Sequence, residues 1–294
     1  MAAGLLRTGE GGGAGGTDEL SPESRLLVER YLPLCLAGPY VTFAQLGQSL
    51  DGFIATRTGD ANYVTGEEDR DHLHRLRALA DAVVVGAGTA VSDDPQLTVR
   101  TCPGTNPVRV VIDPRGRVPL DCRVFTDGSA PTLWVVGPGR EDGQTVPGRV
   151  GDRVEVLTLP DREAFAPRAL VRTLARRGLG RVLVEGGGVT VSRFLHERAL
   201  HRLYVTVAPV LLGDGVPGIR FDGPDVMRDA LRPPVRRSFV GEDTLFELDL
   251  TGSVFALDLG VSAPGRPLDG EDRDPRQARG EGEDSVHDRD GQPQ

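Results

Sequence analysis

The chain has 294 residues, enough for one large domain or two small ones, and its 38% apolar and 26% charged residues are typical of a globular protein. The formal charge of −9 argues against a nucleic-acid-binding protein, which needs a basic face for the phosphates. All 34 basic residues are arginine, which excludes both lysine Schiff-base chemistry and a GxxxxGK[ST] phosphate loop.

Composition divides the chain into three zones. Residues 1–20 are glycine-rich and are predicted to be a flexible N-terminal segment. Residues 38–252 alternate apolar segments with turn signals and predict one folded domain, with a helix over 22–36 packed on it. Residues 260–294 are charged, rich in Pro and Gly and poor in large apolar side chains, which predicts a disordered acidic tail.

Strands alternate with helices along the folded zone. The predicted strands are 41–49, 81–86, 106–113, 131–137, 181–186, a segment within 200–213, and a final edge strand at 244–250. The predicted helices are 67–80, with Thr65 as a candidate cap, 167–178 and 190–200. This alternation predicts an α/β layered fold with a largely parallel sheet.

The cysteines and the apolar runs indicate where the protein works. Cys35, Cys102 and Cys122 are isolated from one another and form no CxxC or Cys/His pattern, so we predict no metal site. Three lone thiols favour a reducing compartment, and we expect a cytoplasmic protein. The first residues show no secretion-signal pattern, and no apolar run is long enough to span a membrane.

A run of three glycines follows one predicted strand. Ligands of open α/β sheets bind beyond the carboxyl ends of the strands, and Glu185 with Gly186, Gly187 and Gly188 occupies such an end. Free backbone N–H groups at the start of the next helix can hold a phosphate. The same residues also fit a tight turn without ligand, or a methyltransferase loop of the E-x-G-x-G kind, and the sequence leaves these alternatives open.

The segment VGAGTA begins like a dinucleotide fingerprint but does not complete it. Val91 stands where the third glycine is expected, and we predict no clear helix after the glycines because Asp93-Asp94-Pro95 interrupts. A true Rossmann fingerprint is therefore not predicted. Arg77 precedes this glycine-containing segment on the predicted helix and Arg100 follows it, and both guanidinium groups are suited to binding a phosphate.

The remaining motifs point to a reaction whose chemistry is carried by a cofactor. The histidines at 72, 74, 196 and 201 are predicted to be solvated or structural rather than catalytic, and neither GxSxG nor HExxH occurs. Glycine loops and arginines with few general bases suit hydride transfer.

Five segments together resemble the reductase domain of the bifunctional riboflavin-biosynthesis deaminase-reductases. They are LGQSLDGFIA, GDANYVT, LRALADAVVVGAGTAVSDDPQLTVR, NPVRVVIDPRGRVP and RVLVEGGGVTVSRFLHERALHRLYVTVAPVLLG, and they cover about residues 40–250. The order SLDG, DDPxLTVR, VEGG is specific. The resemblance implies a three-layer, dihydrofolate-reductase-like α/β fold with a mostly parallel mixed sheet flanked by helices, and a homodimer.

The resemblance also implies an activity. It implies NADPH-dependent reduction of the ribosylamino group of 5-amino-6-(5-phosphoribosylamino)uracil to a ribitylamino group, with hydride passing from the nicotinamide to C1′. The implied ligands are NADPH and a phosphorylated pyrimidine, with no nucleic acid and no membrane as partner. The protein's own contribution would be alignment of the two ligands and exclusion of water.

Carried over position by position, the resemblance assigns residues to two ligands. The NADPH site would contain Gly47, Tyr63, Thr89, Asp93, Gly187 and Gly188. The substrate site would contain Ala61, Arg77, Leu97, Arg100 and Glu185. No residue is assigned as catalytic outright, and Asp93 and Glu185 are the candidates.

Two departures from the family pattern keep other functions open. Ala61 stands where the family often has a substrate-contacting serine. The H-x-E and PCxxC motifs of the zinc deaminase half do not occur, and the roughly 40 residues before the reductase region are too few for that domain, so we expect a stand-alone reductase. The alternatives are a same-fold NADPH reductase of another pyrimidine or pterin-like substrate, and a non-catalytic NADPH-binding protein. The residues by themselves decide neither NADPH against NADH nor the oligomeric state.

Overall fold

The structure, a computed structural model, describes residues 20–62, 64–139 and 150–253. The flexible segment predicted at 1–20 lies outside the described residues except for Leu20, and the tail predicted at 260–294 lies outside them entirely. The helices are α1 (Pro22–Cys35), α2 (Glu67–Ala78), α3 (Ala87–Ser92), α4 (Arg123–Thr126), α5 (Pro167–Arg176) and α6 (Gly188–His196). The strands are β1 (Val41–Ser49), β2 (Phe53–Thr56), β3 (Ala82–Gly86), β4 (Val108–Asp113), β5 (Thr132–Val136), β6 (Val154–Thr158), β7 (Arg181–Val184), β8 (Arg202–Ala208), β9 (Gly215–Pro217), β10 (Val235–Val240) and β11 (Asp243–Asp249).

Nine strands form one mixed, mostly parallel sheet in the order β10-β11-β8-β1-β7-β3-β4-β5-β6. Every pairing from β8 to β6 is parallel, while β11 pairs antiparallel with β8 and with β10. Strands β2 and β9 form a separate antiparallel pair. The predicted fold class is confirmed.

The sheet is buried on both faces, which explains the continuous valine runs in its central strands. Along β3, Val83 and Val85 belong to one apolar layer and Val84 to the other. The first layer includes Leu34 of α1 and Leu76 of α2, and the second includes residues of α5 and α6. Helices on both faces of a sheet give the three-layer architecture.

The prediction that 244–250 forms the edge strand is wrong. Strand β11 lies between β8 and β10, and β10 occupies the edge. A two-residue turn joins β10 to β11, because Val240 pairs with Asp243, and Gly241 supplies the positive φ of +63° that such a turn requires. Strand β10 is not predicted from the sequence, because it is rich in arginine and its alternate residues are exposed to solvent.

Two helix starts also differ from the prediction. The N-cap of α2 is Gly66 rather than Thr65, and the Gly66 N–H donates to the carboxylate of Asp243 at 2.7 Å. A short helix that was not predicted, α3, begins among the glycines after β3, and it ends at Ser92, immediately before the Asp93-Asp94-Pro95 interruption. None of the helices in the described ranges has both the length and the apolar character needed to cross a bilayer.

Candidate active site

A cleft of about 1060 Å³ opens at the carboxyl ends of β1, β3, β4 and β7. This is the edge of a parallel sheet at which α/β proteins bind their ligands. Its walls come from one face of α2, from α3, and from the turn between β7 and α6. The VGAGTA segment and the glycine run of residues 186–188, which follow two different strands, therefore meet at one cleft.

The glycine run after β7 is explained first by contacts within the chain. Gly186 has a φ of +100°, and a Cβ there would lie 2.7 Å from Oγ1 of Thr89. A Cβ on Gly188 would collide with the carbonyl oxygens of Pro217 and Gly218. Gly187 is different, because its Cβ would meet Thr89 only at an ordinary 3.5 Å. A tight turn thus needs Gly186 and Gly188, whereas the absence of a side chain at Gly187 keeps the cleft open.

The same turn provides a cradle for an anion. The N–H of Gly187 donates to Oγ1 of Thr89 at 2.9 Å, which fixes the turn against α3. The N–H of Val189, which lines the cleft in the first turn of α6, has no acceptor among the described residues. Exposed N–H groups and the positive end of the helix dipole favour a phosphate here. Gly188 is buried and does not line the cleft, so the structure does not place it at the predicted cofactor site.

Arg77 and Glu185 form a buried ion pair in the wall of the cleft. The Nε and Nη2 groups of Arg77 donate to the two carboxylate oxygens of Glu185 at 2.8 and 2.7 Å. Nη1 donates to the carbonyl oxygen of Thr98 at 3.0 Å. Burial lowers the pKa of Arg77, but the Glu185 carboxylate outweighs burial and the pKa is raised. The two residues, predicted to contact substrate separately, are a single neutral unit with some donor and acceptor capacity left.

Arg100, which is predicted to contact substrate, is exposed and does not line the cleft, although it lies beside this pair and shares Thr98 with Arg77. Its Nη1 donates to Oγ1 of Thr98 at 2.9 Å, and its backbone N–H donates to Nδ1 of His74 at 3.2 Å. Burial, with the positive charges of Arg77 and Arg100, lowers the pKa of His74 to about 4, so this ring is a neutral acceptor. His74 is structural, as predicted, and its structural role is to hold the backbone of Arg100.

The other predicted cofactor and substrate residues that the structure describes all line the cleft. Thr89, Asp93, Ala61, Gly47 and Leu97 all line the cleft, whereas Tyr63 lies outside the described residues. A Cβ on Gly47 would come within 2.7 Å of Thr65, so close packing against Thr65 also requires a glycine at this position. Leu97 is buried with a φ of +55°, a strained conformation for a leucine.

Asp94 has the structural role that the Asp-Pro turn suggests. Its carboxylate accepts from the backbone N–H of Arg123 at 2.6 Å and from the Arg123 Nε at 3.1 Å. It does not line the cleft, so of the two adjacent aspartates only Asp93 is placed to meet a ligand.

Two groups of cleft residues are missing from the sequence-based assignment. The first is the pair of Gln45 and Asp69, and the Asp69 carboxylate accepts at 2.6 Å from the hydroxyl of Thr206, a buried residue outside the cleft lining. Asp69 lies in the acidic first turn of α2, which the sequence indicates only as a favourable helix start. Its direction toward the cleft depends on how α2 packs, and no spacing rule gives that.

The second missing group follows β4. The Asp113 carboxylate accepts from the backbone N–H groups of Arg117 and Val118 at 3.0 and 2.9 Å and from the Trp134 indole at 3.1 Å. This fixes a loop that places Arg115 and Arg117 on the cleft. The sequence DPRGR carries the signal, because an aspartate at a strand end followed by Pro and Gly predicts a tight turn. No group of metal-ligating side chains occurs among the residues described.

Comparison with known proteins identifies the family of the chain. Residues 39–234 match the family model described as the RibD C-terminal domain. The chain belongs to this family. Its RibD-type reductase fold is shared with the deaminase/5-amino-6-(5-phosphoribosylamino)uracil reductase of Thermotoga maritima, at a TM-score of 0.60 and 28% identity, over 77% of this chain and 61% of that one.

Two relatives with the same sequence identity differ in how much of their length this chain covers. The 2,5-diamino-6-ribosylamino-4(3H)-pyrimidinone 5′-phosphate reductase of Methanothermobacter thermautotrophicus is 36% identical over 220 residues, covering 73% of this chain and 99% of that protein. The riboflavin biosynthesis protein RibD of Aquifex aeolicus is 36% identical over 179 residues, covering 60% of this chain. The chain spans about half of that RibD, 48% of its length. The predicted resemblance to the riboflavin-biosynthesis reductases, which are oxidoreductases, is confirmed.

Proposed function

We propose that this chain is an NADPH-dependent reductase that converts the ribosylamino group of a phosphorylated 5-amino-6-ribosylaminopyrimidine into a ribitylamino group. The observation that carries the proposal is the convergence, on one cleft, of the anion cradle at Gly187 and the Arg77–Glu185 pair, with Arg100 bonded to Thr98 beside that pair. The first suits the phosphates of a dinucleotide and the second a sugar phosphate.

The residues of the turn fit a dinucleotide cofactor. Gly187 has no side chain to fill the cleft, and Val189 presents a backbone N–H in the first turn of α6. NADPH supplies the hydride when bound. The chain's own residues hold the cofactor phosphates at this turn, while Asp93 and Gly47 line the same cleft.

The loop after β4 supports NADPH rather than NADH. Arg115 and Arg117 line the cleft at the end of β4, and Asp113 anchors the loop that carries them. NADPH differs from NADH by one phosphate on the adenosine ribose, and guanidinium groups are the side chains best suited to bind it. We therefore assign the extra phosphate to this loop.

The Arg77–Glu185 pair orients the sugar of the substrate. Two of the five N–H groups of a guanidinium remain after the three bonds that Arg77 makes within the protein. The carboxylate of Glu185 likewise retains lone pairs that can accept from sugar hydroxyls. Because both groups are fixed by each other, they hold C1′ of the substrate in one position, which is the main contribution a protein makes to hydride transfer. We assign the substrate phosphate to Arg100.

Ala61 favours a second candidate function, the reduction of a related heterocyclic substrate. It lines the cleft and carries no hydroxyl, so one substrate contact expected of the family is missing.

We further propose a cytoplasmic homodimer, on the grounds that all three cysteines are free thiols and that Phe239 of the edge strand β10 is 73% exposed. Light scattering on the purified chain tests the dimer.

A substrate panel tests the proposed function. The purified chain is mixed with NADPH or NADH and with the phosphates of either 2,5-diamino-6-ribosylamino-4(3H)-pyrimidinone or 5-amino-6-ribosylaminouracil. We expect oxidation of NADPH, faster than of NADH, with at least one of the two pyrimidines. Tight NADPH binding without oxidation in the presence of either would overturn the proposal and favour a non-catalytic protein or another heterocycle.

A further inference from the structure

The turn that follows β1 is held by the side chain of Asp51. The Ser49 hydroxyl donates to Oδ1 of Asp51 at 2.6 Å, and the same hydroxyl accepts from the N–H of Phe53 at 2.9 Å. Gly52, at a φ of +88°, completes the reversal of the chain into β2. These residues belong to the SLDG motif, to which the family resemblance assigns no ligand. The role of the motif must therefore come from what this turn holds in place.

The Asp51 carboxylate also binds a second segment of the chain, the loop after β8. The Leu212 N–H donates to both carboxylate oxygens at 3.2 Å, and the Gly213 N–H donates to Oδ2 at 2.7 Å. The Ser49 hydroxyl, with these two N–H groups, holds the pKa of Asp51 below its usual value, so the group is a carboxylate at neutral pH. Bonds from N–H groups to a carboxylate are stronger than bonds to a neutral acceptor. Asp51 therefore joins this loop firmly to the end of β1.

The loop that Asp51 fixes leads directly into the antiparallel ribbon of β2 and β9. Strand β9 begins at Gly215, just after the loop, and pairs with β2. The Gly218 N–H, after the strand, donates to the carbonyl oxygen of Gly52 at 2.9 Å. The ribbon forms part of the cleft wall through Ile54, Ala55 and Val216. Strand β9 is thus bonded to the same turn before and after the strand, and a wall of the cleft depends on those bonds.

The end of this ribbon packs against the helix that begins at the anion cradle. A Cβ on Gly188 would collide with the carbonyl oxygens of Pro217 and Gly218, so the two backbones are in direct contact. The Arg220 N–H donates to Oγ of Ser192, in α6, at 2.8 Å. A displacement of the ribbon would therefore be transmitted to the first turn of α6, next to the cradle.

We propose that Asp51 is a positioning residue for the cofactor: its bonds to the loop after β8 fix the β2–β9 ribbon against α6 and keep the anion cradle in one conformation. This inference rests on the proposed function, which assigns the NADPH phosphates to that cradle. Asp51 does not line the cleft, so it acts through the ribbon and not by touching a ligand. A site that is formed in only a fraction of the molecules binds its ligand more weakly by that fraction. Loss of the Asp51 bonds should therefore weaken NADPH binding.

Hydrogen exchange on the unliganded chain tests the anchoring without cofactor or turnover. Asp51→Asn keeps the size of the side chain, but an amide nitrogen cannot accept from an N–H group, so the three donors cannot all be satisfied. We expect amide exchange to rise at least about tenfold in residues 212–218 and at least about threefold in the first turn of α6, with β3 unchanged. Asp214→Asn, the matched control, removes the same charge from an exposed position in the same loop and should change neither.

Fluorescence titration with NADPH, at a temperature where each variant is folded, tests the consequence for the cofactor. We expect the Kd of NADPH to be about tenfold higher in Asp51→Asn. The KM of the phosphorylated pyrimidine should not change, because α2 and β7, rather than the ribbon, hold the Arg77–Glu185 pair. A purely structural aspartate would lower the melting temperature and leave both constants as they are. If Asp51→Asn does not fold, Ser49→Ala removes one of the three donors and should show the same changes at a smaller size.

The outcomes for Asp51 and for the proposed function can be told apart. Ribbon exchange equal to that of the unaltered chain, exchange raised equally in β3, or an unchanged Kd of NADPH overturns the inference. Turnover of a pyrimidine phosphate alongside any of these results leaves the proposed function standing. Locally raised exchange with weakened NADPH binding, in a chain that reduces neither pyrimidine, supports Asp51 as the anchor and contradicts the proposed reductase.

Discussion

Arg77 and Glu185, 108 residues apart in the chain, meet through two hydrogen bonds of 2.8 and 2.7 Å. The pair ties the last turn of α2 to the end of β7, so it fixes the two walls of the cleft relative to each other. Both side chains are buried, at 7% and 6% exposure, so water cannot solvate the charge of one partner if the other is removed.

Removing one member of this pair should destabilise the fold. We expect Arg77→Met or Glu185→Met to lower the free energy of unfolding by about 3–5 kcal/mol, because each leaves an unpaired buried charge. The double variant should be more stable than either single variant, yet remain inactive if the pair orients substrate. Urea denaturation with an activity assay measures both effects. Additive losses in the double variant would show that the two side chains do not act together.

Arg100 should affect substrate and not cofactor. We expect Arg100→Ala to raise the KM for the phosphorylated substrate about tenfold to a hundredfold, since one charge-assisted contact is lost, with little change in the Kd of NADPH. The dephosphorylated substrate should be insensitive to the change. Arg172→Ala, on the exposed side of α5, is the matched control. An equal loss of substrate and NADPH binding would contradict the role assigned to Arg100.

The three consecutive glycines should respond differently to substitution. Gly187→Val should fold, because a Cβ at this position meets Thr89 only at an ordinary distance, but it should abolish NADPH binding by filling the cradle. Gly188→Ala should instead destabilise the protein, since its Cβ collides with the backbone at Gly218. Thermal melting and fluorescence titration with NADPH distinguish the two defects. Retained NADPH binding in Gly187→Val would leave the turn a purely structural element.

His72, the more deeply buried of the two histidines of α2, should make stability depend on pH. Burial, together with the charges of Arg30 and Arg75, lowers the pKa of His72 from 6.5 to about 3. The unfolded chain therefore binds a proton that the folded chain does not, so the stabilising effect of the neutral ring is complete above pH 6.5 and is lost as the pH falls toward 3.

A variant without this histidine isolates its contribution. The slope of unfolding free energy against pH in this window should be lower in His72→Asn by up to about 1.4 kcal/mol per pH unit. Urea titrations at a series of pH values measure the slope. His72→Asn also loses the 2.7 Å bond between the Tyr31 hydroxyl and Nδ1, so the slope and not the absolute stability is compared. Identical slopes would mean that His72 is protonated in the folded chain.

Much of the fold is predictable from the sequence because its strands are buried on both faces. The valine run of β3 and the amphipathic spacing of α5 specify their elements locally. Strand β10 is not predictable in this way, since its arginines alternate with residues whose burial depends on β11. Local pattern cannot supply that long-range pairing.

The candidate site is predictable in its composition and less so in its pairing. Motif order identifies Thr89, Asp93 and Glu185 as cleft residues, and they do line it. It does not show that Glu185 is bound by Arg77, because that contact depends on how α2 docks on β7. Asp69 is hidden for the same reason, since an acidic first helical turn normally faces solvent.

The most direct test of the account follows a labelled hydride. The chain is supplied with NADPH deuterated on the nicotinamide and with a phosphorylated 5-amino-6-ribosylaminopyrimidine, and the product is examined by mass spectrometry and NMR. We predict a ribitylamino product carrying a single deuterium at C1′, with one NADPH oxidised for each product formed. Bound NADPH that transfers no deuterium to either pyrimidine, or deuterium at any other carbon, would contradict the proposed reaction.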